Sequence, residues 1–314
     1  MRRLALLAGL VLLAAGCGKI DDETAAADLS SRQIRVVATT SMVTDLVERV
    51  GGDRVEVEGL MGPGVDPHLY KASEGDVIAL ADADAVFYNG LHLEAKLAEV
   101  FERMGGRVHT YSVTDRIERG RLLAPPAFAG NYDPHVWFDV GLWRLALAQV
   151  RDDLSGLDRA HAATYRRNAA RYDRELAELE RWVRTETVRV PAGKRVLVTA
   201  HDAFNYFGRA YGFDVRGLQG ISTASEAGTA DVRELADFIA ERRIPAIFVE
   251  SSVSPRAIQA VREAVRARGF EVGIGERLFS DAMGDPGTLE GTYPGMVRHN
   301  VEAIVSGLRA ETDV

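Results

Sequence analysis

Gly62-Pro63-Gly64-Val65-Asp66-Pro67-His68-Leu69-Tyr70 joins a strand-like run, Val55 to Leu60, to a helix-like run that begins near Ser73. Its glycines and prolines define a turn, so His68 is expected on a rigid corner. The core of the pattern returns at Asp133-Pro134-His135, again just before a helical run, and His201 directly follows the apolar strand candidate Val196-Leu197-Val198-Thr199-Ala200. The three histidines are spaced 67 and 66 residues apart, each at a strand- or turn-to-helix junction. This repetition predicts one constellation assembled from distant parts of the chain. Imidazole nitrogen is the donor that zinc and other first-row metals favour, and the set reads as a divalent transition-metal site.

Outward from these corners, short apolar runs alternate with helical periods. Ile34 to Ala38, Val55 to Leu60, Ala85 to Tyr88 and Arg107 to Tyr111 read as strands, with helices at Met42 to Val50, Glu74 to Ala81 and Glu94 to Met104. After Arg189 the alternation resumes, with strands near Arg195 to Ala200, Val215 to Leu218, Ala246 to Glu250 and Glu271 to Ile274. Helices are expected there at Ala203 to Tyr211, Val232 to Arg242, Pro255 to Arg268 and Tyr293 to Leu308. The pattern predicts an α/β fold of two lobes, 32–157 and 190–314, each a mainly parallel sheet flanked by helices that presents its strand ends to a crevice.

Between the lobes, 158–189 contains neither proline nor glycine, and Tyr165, Ala169, Tyr172, Leu176, Leu179 and Val183 form one helical stripe. Asp158 is a candidate N-cap, and Pro191 and Gly193 end the segment. About thirty helical residues span ~45 Å, enough to traverse both lobes. A dimerising coiled coil is the competing reading, disfavoured because the segment is isolated between two α/β lobes.

Met1-Arg2-Arg3, the apolar run Leu4 to Ala15 and Gly16-Cys17 read as a secretory signal over 1–17. The run falls short of the ~20 residues of a membrane span. Cys17 is the only cysteine, which excludes an intrachain disulfide and a thiolate metal cluster. Its position resembles the lipobox of bacterial lipoproteins, with Ala14 in place of the usual leucine; the resemblance implies lipidation of Cys17. Residues 18–31, polar and alanine-rich, read as a flexible tether. Among 314 residues, 46 acidic and 38 basic side chains are interspersed, for a net charge of −8. That balance argues against nucleic acid as a partner.

Of the other histidines, His161 and His299 fall in helical periods and are expected on the solvent side. His109 lies in a strand candidate, and His92 is expected near the site but off the metal. A fourth ligand should come from the last lobe, where Glu276, Asp281 and Asp285 are available. Asp281 has apolar flanks that could bury it beside a cation, but spacing alone does not choose among the three.

Asp66-Pro67-His68-Leu69-Tyr70-Lys71, Phe87-Tyr88-Asn89-Gly90-Leu91-His92-Leu93-Glu94, Asp133-Pro134-His135-Val136-Trp137, His201-Asp202-Ala203-Phe204-Asn205-Tyr206-Phe207 and Phe279-Ser280-Asp281 together resemble the solute-binding lipoproteins of manganese/zinc ABC importers. The resemblance covers nearly the whole mature chain. It implies two α/β lobes on one long helix, with Mn²⁺ or Zn²⁺ held between them as cargo by His68, His135, His201 and Asp281. It further implies a lipid-anchored monomer facing the periplasm or cell exterior, with an ABC permease and its ATPase as partners. The zinc branch of the family often carries a long histidine-rich loop; the corresponding 118–131 is short and has no histidine.

Two other classes compete. A zinc hydrolase usually keeps an open coordination position for water, and no His-Glu-x-x-His helix accompanies these residues. A metal-stabilised adhesin or structural lipoprotein would lose its fold with its metal. No phosphate-binding Gly-x-x-x-x-Gly-Lys-Ser/Thr sequence is present, so ATP hydrolysis is expected from another chain.

Overall fold

A computed structural model describes residues 29–104, 106–128 and 130–309. The signal segment 1–17 with Cys17, and 18–28 of the expected tether, lie outside the described residues. Leu29–Ser31, the end of that tether, form a 3-10 turn, and Arg54 donates to the Leu29 carbonyl at 2.7 Å.

The first lobe runs β1 (Ile34–Ala38), α1 (Ser41–Gly51), β2 (Val55–Gly59), α2 (Glu74–Asp82), β3 (Ala85–Tyr88), α3 (Ala98–Met104) and β4 (His109–Ser112). All pairings are parallel, in the order β2-β1-β3-β4. The junctions are fixed by local chemistry. Thr40 caps α1 by accepting from Val43 N, and Ser73 with Asp76 forms a reciprocal capping box on α2. The expected helix from Glu94 begins later, with a 3-10 turn at Ala95–Leu97 ahead of α3. Glu94 is instead turned inward, where its carboxylate accepts from Asn89 N at 2.7 Å, Gly90 N at 3.2 Å and Thr39 Oγ1 at 2.7 Å.

Next come α4 (Val140–Leu157), capped by Asp139, and α5 (Ala162–Thr187), the long helix anticipated between the lobes. Asp158 does not cap α5 directly: a 3-10 turn, Arg159–His161, intervenes. Its carboxylate instead pairs with Arg54 at 3.2 Å and accepts from Tyr165 Oη at 2.8 Å, with His161 Nδ1 at 2.9 Å. The predicted stripe is buried throughout. Arg144 of α4 grips Asp173 of α5 with two hydrogen bonds, 2.7 and 2.9 Å.

The second lobe holds β5 (Val196–His201), α6 (Asn205–Tyr211), β6 (Asp214–Gln219), α7 (Thr229–Arg242), β7 (Ala246–Ile247), α8 (Arg256–Arg266), β8 (Gly273–Ile274) and α9 (Tyr293–Arg309). β5 pairs with β6 and β7 with β8, both parallel. Phe248 N donates to Val198 O at 2.9 Å, so the strands follow one another as β6, β5, β7, β8, the order of the first lobe. The last two strands are shorter than expected. Beyond Ile247 the regular ladder gives way to single contacts: Phe248 with Val198, and a bridge between Glu250 and Leu278 with Leu278 N donating to Val249 O at 2.9 Å.

One buried cluster runs from Ile34 to Leu308 through both sheets and the inner faces of α1, α4, α5 and α9. A smaller cluster, Val37, Leu80, Val86 and Val108, fills the other face of the first sheet under α2 and α3. The lobes therefore share a core along α5. The two turns and the strand end that carry the histidines converge where that core meets the crevice.

Candidate metal centre

His68 sits at the end of the turn that follows β2, His135 just before a 3-10 turn (Val136–Phe138) leading into α4, and His201 is the last residue of β5. Asp281 follows the bridge at Leu278. One donor atom from each of the four lies within 4.8 Å of the others. Nε2 of His68 is 3.3 Å from Nε2 of His135, and Asp281 reaches His135 Nε2 through Oδ1 and His201 Nε2 through Oδ2, each at 3.3 Å. Exposure is 4 % for His68, 0 % for His135 and His201 and 1 % for Asp281. His68 has the most access to solvent of the four. Of the other acidic candidates, Glu276 and Asp285 are exposed.

A surrounding set of hydrogen bonds orients these donors. Asp133 Oδ1 is 2.7 Å from His135 Nδ1 and also accepts the His135 amide at 3.0 Å. Glu250 Oε1 likewise accepts the His201 amide at 2.9 Å, and its Oε2 stands 2.6 Å from His201 Nδ1 as an ion-pair contact. A carboxylate at Nδ1 holds the hydrogen there and turns the Nε2 lone pair toward the cluster. Asp281 accepts from Ser252 Oγ at 3.1 Å. At the site, His201 Nδ1 and Nε2, Glu250 Oε2 and Asp281 Oδ1 are buried without a hydrogen-bond partner among the described residues. Nδ1 and Oε2 face each other as an ion pair. Buried polar atoms are seldom left unpartnered, and a cation among the four residues would satisfy Nε2 and Oδ1.

Electrostatics separate the histidines. Burial drives the His68 pKa down to about 3 against the pull of Asp281. Burial also opposes charge on His135 and His201, but Asp133 with Asp281, and Glu250 with Asp281, outweigh it and raise both. Burial would raise Asp281, yet the two imidazoles hold it well below the usual carboxylate range. Without a cation, the surrounding carboxylates favour a proton on His135 and on His201 against the cost of burial.

The remaining histidines stay apart. His92 is exposed, in a left-handed turn (φ 65°), and lines a separate cavity of about 650 Å³ beside Tyr88 and Tyr132. His109 is exposed and stacks on Tyr111. His161 and His299, expected to face solvent, are part-buried and bound to Asp158 and to the Arg277 carbonyl. Sequence reasoning passed over Glu250; an acidic residue ending the apolar run Ala246 to Glu250 was the available signal.

Two α/β lobes of matching strand order, sharing one long helix and enclosing a nitrogen-and-carboxylate donor set, define a two-lobed binding-protein fold. The chain belongs to the family described as ZnuA, zinc-uptake complex component A, periplasmic, which matches residues 36–307. It is similar to the manganese-binding lipoprotein MntA of Bacillus subtilis (strain 168), 48 % identical over 294 residues and 94 % of either chain. It is also 50 % identical over 273 residues to the zinc-binding protein TroA of Treponema pallidum (strain Nichols), covering 87 % of this chain and 88 % of that one. A solved structure of periplasmic zinc-binding TroA from Treponema pallidum superposes with a TM-score of 0.86 at 49 % identity, over 88 % of this chain and 100 % of the other.

Proposed function

We propose that the protein captures Mn²⁺ or Zn²⁺ outside the cytoplasmic membrane on His68, His135, His201 and Asp281, and delivers it to an ABC permease driven by a separate ATPase. The observation that carries this reading is the convergence of four buried donors from four chain segments, with His201 Nε2 and Asp281 Oδ1 unpartnered. Membership of a zinc-uptake family and similarity to a manganese-binding lipoprotein support the same cargo. In this reading the first lobe (32–157) supplies His68 and His135, the second (190–314) supplies His201 and Asp281, and 158–189 links them. Cys17 carries a lipid that tethers a monomer to the membrane. Four protein donors fill a tetrahedral site, which favours carriage over hydrolysis.

Three imidazoles and one carboxylate favour Zn²⁺ over Mn²⁺ in intrinsic affinity, following the Irving–Williams order. The test is metal analysis of protein purified without added metal, together with competition between the two ions and far-UV circular dichroism after chelation. Stoichiometric binding of either ion, with the fold retained on its removal, is expected. Protein that takes up neither ion, or that unfolds when stripped, would overturn the transport reading; Mn²⁺ outcompeting equimolar Zn²⁺ would overturn the order of affinities.

A further inference from the structure

Three of the four donors are anchored through their side chains. His135 and His201 rest on Asp133 and Glu250, and Asp281 takes the Ser252 hydroxyl. The His135 support is itself fastened to the second lobe: Asn205 Nδ2 donates to Asp133 Oδ2 at 3.1 Å, and Tyr206 Oη donates to the Asp133 carbonyl at 2.8 Å. His68 differs. Among the described residues no carboxylate pairs with its Nδ1, and its support reaches it through the backbone. Asp66 Oδ1 accepts the His68 amide at 2.9 Å, which closes a local turn. The other oxygen, Oδ2, accepts from Thr223 Oγ1 across the crevice at 2.6 Å. Thr223, 7 % exposed, lies in the segment between β6 and α7 of the second lobe.

We infer that Asp66 and Thr223 form a latch that ties closure of the crevice to the position of His68, and so sets how fast the metal leaves. One carboxylate serves as both halves of the coupling, because it cannot hold Thr223 without also fixing where the His68 backbone sits. The turn around it lies close against the second lobe: at Gly64, in the left-handed region (φ 71°), an added Cβ would stand 3.5 Å from Ser251 O. His68 is also the donor nearest to solvent, so the exit runs past the residue that the latch controls. When the Thr223 bond opens, the turn and His68 swing away as a unit, while the other three donors keep their anchors. Thr223 is a positioning residue in this scheme and does not touch the ion.

The inference rests on the metal-binding reading above. Thr223→Val keeps the shape of the side chain and removes the donor. With Zn²⁺ as the probe and a chromogenic chelator in stopped flow, Thr223→Val is expected to release metal about tenfold faster, as suits loss of one hydrogen bond to a charged acceptor. Thr223→Ser, which restores the hydroxyl, should return the rate to that of the parent. On a His68→Ala background, whose zinc leaves faster from the start, Thr223→Val should change nothing further. Equal release rates for the parent and Thr223→Val, no rescue by serine, or an undiminished effect without His68 would each overturn the latch while leaving metal binding intact. A parent protein that binds no Zn²⁺ would instead remove the functional reading, and the latch with it.

Discussion

Glu250→Gln is the sharpest probe of how the centre is held. In the parent, the two oxygens of Glu250 serve two donors of the same residue, the His201 amide at 2.9 Å and Nδ1 at 2.6 Å. Glutamine has the same shape but only one oxygen. If that oxygen keeps the amide, the new NH₂ faces Nδ1 and makes it an acceptor, which moves the ring hydrogen to Nε2 and blocks coordination. If the oxygen turns to Nδ1, the NH₂ confronts the His201 N–H in a buried site. Either arrangement spoils the ligand without altering the packing. Loss of a carboxylate that supports a metal-binding histidine typically costs 10–100-fold in affinity, about 1.4–2.7 kcal/mol. The assay is competitive Zn²⁺ titration against a chelator of known affinity, with circular dichroism to verify the fold. A Glu250→Gln protein that is folded and binds Zn²⁺ within twofold of the parent would refute the claim that Glu250 orients His201.

Other perturbations have equally definite outcomes. His201→Ala and Asp281→Ala should each weaken metal binding strongly and leave the far-UV spectrum of the metal-free protein unchanged; parent-like affinity in either variant removes that residue from the centre. His135 and His201, held protonated despite their burial by Asp133, Glu250 and Asp281, must give up protons to an entering ion. Affinity should therefore keep rising above neutral pH, and a plateau reached by neutrality would contradict the raised pKa values. In the metal-free fold the same contacts stabilise fully below about pH 6.5 and fade as pH rises through the elevated values. Denaturant titrations at several pH values read this contribution against that of His68, which runs in the opposite sense. Gly217→Ala places a Cβ 2.4 Å from Asp202 N and 2.5 Å from the His201 carbonyl carbon. Prying β6 from β5 there should cost about 1–3 kcal/mol and displace His201; an unfolding midpoint equal to the parent's would show that the strands can relax.

The donor histidines were legible because each occupies a junction that local chemistry marks: Pro67 and Pro134 before two of them, and the end of an apolar run before His201. The α5 stripe was legible for a related reason, since helical period and burial coincide along one element. Asp281 was not separable from Glu276 and Asp285 by spacing, and needed family resemblance; the structure separates them by burial. Glu250 and Thr223 act across 49 and 157 residues of chain, and no local pattern encodes a partner at that distance. Asp133 and Asp66 stood inside the quoted motifs, yet their work depends on which side of the turn faces the opposite lobe. The shortness of β7 and β8 was hidden as well, because Phe248 and Val249 are apolar and each still bonds a neighbouring segment, Val198 and Leu278, without continuing a regular ladder.

α5 packs against α1 and α4 of the first lobe and against α9 and α6 of the second. Its 26 residues form a rod about 39 Å long, embedded in the core on both sides. Bending that rod would break the packing of Tyr172 and Leu176, which are buried along it. The full and empty molecules should therefore share nearly the same silhouette, and their small-angle scattering curves should superimpose. A membrane receptor that must distinguish cargo from no cargo cannot gauge overall shape; it has to feel the lip of the crevice, where a displacement of a few ångströms is the whole message.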